Sequence, residues 1–186
     1  NKIIFLNSAH IPYAEVKYRG ILDFDTPVSW IDTSELDLQE KAVAEGTGRL
    51  NTGEAELLVR ELKNYMERIG IRRILEEHID FGVISPYRAQ VHYLRHLLKK
   101  EPFFRPCRRL ITVHTVDGFQ GQERDVIMIS LVRANEKGQI GFLRDLRRMN
   151  VAITRARMKL LILGEAVTLT RHPFYRELYE YIGGLR

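Results

Sequence analysis

Residues 81–100 read FGVISPYRAQVHYLRHLLKK. FGVIS is a continuous apolar run of strand length, and Pro86 stops it because its ring fixes φ and removes an amide donor. From Tyr87 onward Val91, Leu94, Leu97 and Leu98 recur at helical spacing, so the order is strand, turn, helix. LITVH (residues 110–114) and VIMISLV (126–132) are two further buried strands joined by the polar turn TVDGFQGQERD. A helix from about Leu143 leads into KLLILG (159–164), another central strand, and a last amphipathic helix runs over about 174–182. Strands that are apolar throughout and alternate with helices imply a mostly parallel sheet covered on both faces, so the expected fold is a three-layer α/β/α domain. In such sheets ligands gather at the carboxyl ends of the strands, which is where SPYRAQ and TVDGFQGQERD are expected.

Upstream the pattern is less regular. IIFL (3–6) and VSWI (28–31) are short strand candidates, and residues 34–48 are polar and Gly-punctuated, as expected of a mobile loop. Asn51 with Glu54 three residues on suggests a capping box opening a helix to Ile69, with Leu57, Leu58, Leu62 and Met66 inward and Gly70 ending it. The expected division is an N-terminal part, 1–50, of strands and loop, and a three-layer domain over 51–186.

The chain of 186 residues is long enough for one good-sized core, and its 45% hydrophobic and 28% charged content is that of a soluble globular protein. No window approaches the ~20 apolar residues of a membrane span, and NKIIFLNSAH has neither basic leader nor cleavage site. The missing initiator Met suggests a processed or excised piece. One cysteine, Cys107, excludes an internal disulfide and a cysteine-based zinc cluster, and fits a reducing cytoplasmic setting. Flanking cations could lower its thiol pKa. A net charge of +5, from 29 Lys and Arg against 24 Asp and Glu, permits a polyanionic partner without requiring one.

Three clusters could carry chemistry. In NVAITRAR (150–157) and the residues before it, helical spacing puts Leu143, Leu146, Met149 and Ile153 on one face and Arg144, Arg148 and Arg155 within about 40° of one another elsewhere. Such a row is either a solvated basic face or a grip on phosphate. In TVHTVDGFQGQERD (112–125), Gly118 and Gly121 let the backbone turn tightly near a ligand, Thr112, His114 and Thr115 suit phosphate or sugar, and Glu123 suits ribose hydroxyls. The same stretch could be a plain connecting loop, or could hold a metal through His114, Asp117, Glu123 and Asp125. SPYRAQ (85–90) sets Tyr87, Arg88 and Gln90 at a helix N-terminus, able to hold an anion or base, or simply to start a helix. There is no GxxxxGK[ST] phosphate loop and no G-x-G-x-x-G opening a helix after a strand.

Taken together, GVISPYRAQ (82–90), ITVHTVDGFQGQERDVIMISLVRAN (111–135) and GFLRDLRRMNVAITRARMKLLILG (141–164) resemble motifs IV, V and VI of superfamily 1 helicases. The similarity is to the 5′-to-3′ group that includes the nonsense-mediated-decay helicase, senataxin and the Dna2 nuclease-helicase. The resemblance implies the second RecA-like domain of an ATP-dependent motor, whose first domain holds the phosphate loop and the Mg²⁺-binding acidic pair. It implies that Arg155 is an arginine finger for the γ-phosphate, that Glu123 with Gly121 contributes to the nucleotide site, and that Ser85, Pro86, Tyr87, Thr112, His114 and Thr115 grip a single strand. ATP with Mg²⁺ is the implied cofactor, and single-stranded nucleic acid, with DNA slightly favoured over RNA, and a first RecA-like domain are the implied partners. No protein-held metal and no membrane are implied, and without its own phosphate loop the chain alone is expected to be inactive. Arg133 and Asn135 match the family pattern with no role assigned, Arg157 is expected to be structural, and of the family's YRMHP-like segment only YRGIL (18–22) is present, so no role passes to Arg19. A stand-alone nucleic-acid-binding module and a metal-dependent nuclease are the alternatives.

Overall fold

A computed structural model describes residues 26–43 and 48–185, so IIFL and YRGIL lie outside the described residues. In chain order the elements are β1 (Val28–Asp32), β2 (Lys41–Ala42), β3 (Arg49–Leu50), α1 (Thr52–Ile69), α2 (Ile71–Glu77), β4 (Phe81–Ile84), α3 (Arg88–Lys100), β5 (Ile111–His114), β6 (Arg124–Ser130), α4 (Leu146–Ile153), β7 (Ala156–Gly164), α5 (Ala166–Leu169) and α6 (Pro173–Gly184). The main sheet has the order β1-β7-β6-β4-β5 with every pairing parallel. β2 and β3 form a separate antiparallel pair.

Side chains alternate across a strand, and here both faces are apolar. Phe81, Val83, Val126, Met128, Leu161 and Leu163 pack on one side with Leu58, Leu62 and Met66 of α1 and Leu94 of α3. Ile84, Ile127, Ile129, Leu160, Ile162 and Trp30 pack on the other with Met149 and Ile153 of α4 and Tyr175, Leu178 and Ile182 of α6. The result is the expected α/β/α arrangement, and β1 joins it as an edge strand through Val28–Asp32 on Leu160–Gly164. No helix among the described residues is long and apolar enough to cross a membrane.

Four local expectations change. LITVH is an edge strand, paired only with β4, and just Val113 of its four strand residues is buried. The helix expected from Leu143 is two elements: a 3-10 turn over Gly141–Arg144, then α4, whose N-cap Asp145 accepts from the Arg148 amide at 3.3 Å. Arg144 ends the 3-10 turn before that helix and Arg155 follows its C-cap Thr154, so only Arg148 of the proposed row lies in α4. The stretch 34–48 is anchored rather than loose where it is described: Glu40 is held by Arg133 and Arg49, and Lys41–Ala42 pairs with Arg49–Leu50. The capping box is half formed, since Asn51 Oδ1 accepts from the Glu54 amide at 3.0 Å but the Glu54 carboxylate turns into the core.

Candidate functional site

β4 and β5 end side by side, with Ile84 opposite His114 and the Ser85 amide donating to the His114 carbonyl at 3.3 Å. Pro86 and Thr115 follow them and share a small pocket with Asp117, Phe142 and Arg148. Because β5 and β6 are parallel, residues 115–123 must travel from the carboxyl ends of the strands back to their amino ends, and only the first part of TVDGFQGQERD sits at the carboxyl ends. Its buried Val116 and Phe119 take the place of a crossover helix on the α4/α6 side. Gly121, at φ +75°, and Glu123 lie near the start of β6, where the Arg124 amide donates to the Arg155 carbonyl at 3.0 Å. The candidate residues therefore fall in two groups, one at each end of the strands.

At the β6/β7 start, Arg155 follows the last turn of α4. Its Nε donates to the Val151 carbonyl at 3.0 Å, Nη2 to Thr154 Oγ1 at 3.1 Å and Nη1 to the Gln122 carbonyl at 3.4 Å. A cation is favoured at a helix C-terminus, where carbonyls lack intrahelical partners. All three acceptors are neutral, so an anion at this edge would be a stronger partner than any of them. Glu123 is exposed. Thr112 is drawn to this group: Arg124 Nη2 donates to its hydroxyl at 3.2 Å while Arg124 Nη1 donates to the Glu123 carbonyl at 2.7 Å. Arg157 lies beyond, bonded to Asp80 at 2.8 Å and Asp125 at 3.0 Å, and so ties the starts of β4, β6 and β7 together. Burial pushes the Asp125 carboxyl up, against the bonds from the Asp80 amide and Arg157.

At the carboxyl ends, His114 is exposed, with its ring beside Phe119 and 3.1 Å from Arg95 Nη2. Gly118 is required there for packing, because a Cβ would lie 2.7 Å from the His114 ring. Ser85 and Tyr87 differ from expectation. The Ser85 hydroxyl is buried, and Tyr87, 1% exposed, stacks on Phe142 and accepts from Arg133 Nη1 at 3.3 Å. Their side chains are turned inward to satisfy polar groups inside the fold, which leaves Pro86 as the one side chain of the three with open surface.

Beneath this surface is a polar network that local sequence patterns do not announce. Glu54, fully buried, accepts from Ser130 Oγ at 2.6 Å and from the Val132 amide at 2.8 Å. Gln90 bonds the Asn51 amide and carbonyl, each at 2.9 Å, and donates to Ser130 Oγ at 3.0 Å. Burial raises the Glu54 carboxyl to about 7 despite those donors. Val132 is clamped from both sides, since Asn51 Nδ2 donates to its carbonyl at 3.1 Å. That clamp holds a β-branched residue at φ +70°, a strained conformation closed by the Arg133 amide on the Leu131 carbonyl at 2.8 Å. The strain aims Arg133, Ala134 and Asn135 at Glu40, whose Oε2 accepts from Arg133 Nε and the Ala134 amide at 2.8 Å and from Asn135 Nδ2 at 3.2 Å. Arg133 and Asn135 thus pin the segment carrying Glu40 to the end of β6.

Two other expectations close here. Cys107 is fully buried against the core and burial pushes its thiol up, opposite to the activation its basic neighbours suggested. His114, Asp117, Glu123 and Asp125 are not brought together, and among the described residues no group of three or more His, Cys, Asp or Glu is arranged to hold a metal ion.

A five-stranded parallel sheet between two helical layers is the architecture of an α/β domain of the RecA-like kind. The sequence model of a family described as an AAA domain matches residues 6–167. The chain is 41% identical over 152 residues, 80% of its length, to the DNA polymerase alpha-associated DNA helicase A of Saccharomyces cerevisiae. It is 35% identical over 88% of its length to the DNA replication ATP-dependent helicase/nuclease DNA2 of Mus musculus, and 36% identical over 76% to the regulator of nonsense transcripts 1 of Dictyostelium discoideum. It belongs to this AAA-domain family of superfamily 1 helicases. It spans 21%, 14% and 10% of those three relatives.

Proposed function

We propose that this chain is the second RecA-like motor domain of an ATP-dependent helicase, residues 51–186 with β1 as edge strand, acting on a single strand of DNA or RNA with DNA favoured. The observation that carries the proposal is the setting of Arg155: a guanidinium held by neutral acceptors at the end of α4, beside the turn that carries Gly121 and exposed Glu123. Arg155 exchanges those acceptors for the phosphate oxygens of ATP presented, with Mg²⁺, by a first RecA-like domain. Glu123 and Gly121 take part in the same nucleotide site. Arginine fingers contribute roughly 10³- to 10⁵-fold to turnover in nucleotide hydrolysis. Because the arginine comes from across a cleft, hydrolysis requires the two domains to close, and closure couples chemistry to movement along the strand.

Pro86, Thr115 and His114, at the other end of the strands, support the strand grip by offering open side-chain surface there. Ser85 and Tyr87 serve it through the positions of their neighbours, while Thr112, expected in the grip, is bonded by Arg124 on the nucleotide side. A reducing, cytoplasmic setting is part of the same proposal, as is the inactivity of these 186 residues alone. The test is Arg155→Ala in a longer protein that carries both RecA-like halves. Strand-stimulated ATP turnover should fall by roughly 10³-fold or more with nucleotide affinity little changed. Turnover at the unsubstituted rate would overturn the proposal.

A further inference from the structure

Phe142 is 44% exposed on the strand-end surface, yet it is not loosely held. One face of its ring stacks on buried Tyr87, with centroids 5.2 Å apart and planes at 29°. It sits in the 3-10 turn Gly141–Arg144, whose next residue, Leu143, is fully buried and bonded through its carbonyl to Tyr175 at 2.6 Å. Gly141, at φ +52°, is pressed so closely against Arg133 that a Cβ would meet its guanidinium and lie 2.8 Å from the Tyr87 hydroxyl. The fold therefore fixes an aromatic ring in the open rather than burying it.

The ring also borders a cleft of about 450 Å³ lined by Arg49, Arg133, Gln139, Gly141 and Arg144. On its other side lie Pro86, Thr115 and Arg148. Arg144 makes no ion pair among the described residues, and Arg49 shares Glu40, at 3.4 Å, with the buried Arg133. An aromatic ring 44% exposed beside cations matches one ligand chemistry well: a planar base followed by a phosphate. Base stacking on an aromatic ring tolerates any sequence, and the neighbouring cations take the backbone.

We propose that Phe142 is a base-stacking platform of the strand track, extending the Tyr87–Phe142 stack by one nucleobase, with Arg144 holding the adjoining phosphate. This rests on the reading of the strand-end surface as a single-strand grip, and adds to it a residue and a mode of contact. Phe142 is a binding residue here, and Gly141 and Tyr87 are positioning residues that keep its ring in place.

The experiment measures binding of the 186-residue chain to two fluorescent probes of equal length, an oligo-dT of roughly ten nucleotides and the same backbone without bases. Phe142→Ala should weaken oligo-dT binding roughly ten- to a hundredfold and leave the abasic probe unchanged. Phe142→Trp should retain oligo-dT affinity, and its emission should be quenched on binding, which guards against a folding defect in the alanine variant. Arg144→Ala should weaken both probes and reduce the salt slope by about 0.7. If the unsubstituted chain binds oligo-dT and Phe142→Ala binds it equally well, or loses both probes alike, the stacking role is overturned while the grip stands. If the unsubstituted chain binds neither probe, the grip fails and the stacking role with it.

Discussion

Glu54→Gln separates the charge of the buried carboxylate from its hydrogen bonds. The Glu54 carboxyl is raised by burial to about 7 from an ordinary value of 4.5. A carboxyl whose folded value lies above its unfolded value stabilises the fold fully below pH 4.5, and that contribution is lost as pH rises to about 7. The shift corresponds to about 3 kcal/mol lost across that window and nothing further above it. In the glutamine variant the side-chain oxygen still accepts from Ser130 and Val132, and the amide occupies the place of Oε2, which has no partner among the described residues. Glutamine therefore imitates the protonated acid at every pH. Denaturant unfolding of both proteins between pH 5 and pH 8 is the assay. Their stabilities should agree to about 1 kcal/mol at pH 5, with the wild type falling below the variant by about 2 to 3 kcal/mol at pH 8. Parallel pH profiles would show that Glu54 does not titrate in this window and would refute the reasoning.

Glu40→Ala removes the carboxylate that faces the Arg133 guanidinium, whose side chain is 5% exposed, and leaves the Ala134 amide without that acceptor, while Arg133 keeps Tyr87 and Asn135 keeps the Gln139 carbonyl. A loss of about 3 kcal/mol in stability is expected, as for one partner of a buried ion pair, measured by the same unfolding assay; a loss below about 0.5 kcal/mol would remove Glu40 from the account. Arg157→Ala leaves Asp80 and Asp125 facing each other at the strand starts. Because the Arg157 side chain is 39% exposed, solvent screening limits the cost to about 1 kcal/mol, and nucleotide affinity in the longer protein should not change. A loss of turnover with unchanged stability would instead put Arg157 in the nucleotide site.

The layers of the fold were legible because β4, β6 and β7 are buried on both faces, and a strand with two apolar faces leaves a continuous apolar run. LITVH has a similar composition, but edge position is set by which strand pairs with which, and no local pattern carries that. The arginine row failed for a different reason. Helical spacing from Leu143 to Arg155 assumes one uninterrupted helix, and the N-cap at Asp145 breaks it; an Asp three residues before Arg148 was the available signal. Tyr87 looked like a ligand-facing aromatic at a helix start, but its hydroxyl answers Arg133, 46 residues away. Glu40 carries no local signal and Glu54 reads only as half of a capping box, because their partners lie 93 and 76 residues distant, and one sequence offers no sign of such pairs. Phe142, in GFLR beside the arginines, could have been found: an aromatic among cations is a legible stacking signal.

The role proposed for Arg155 is to act on the phosphoryl group in transfer rather than on the bound nucleotide. In a longer protein with both RecA-like halves, the decisive measurement is the affinity of the wild type and of Arg155→Ala for ADP and for ADP with aluminium fluoride, which imitates the group in transfer. ADP affinity is expected to stay within about threefold, with a loss of roughly 10³-fold for the aluminium fluoride complex. Equal losses for both ligands, or none for either, would contradict it.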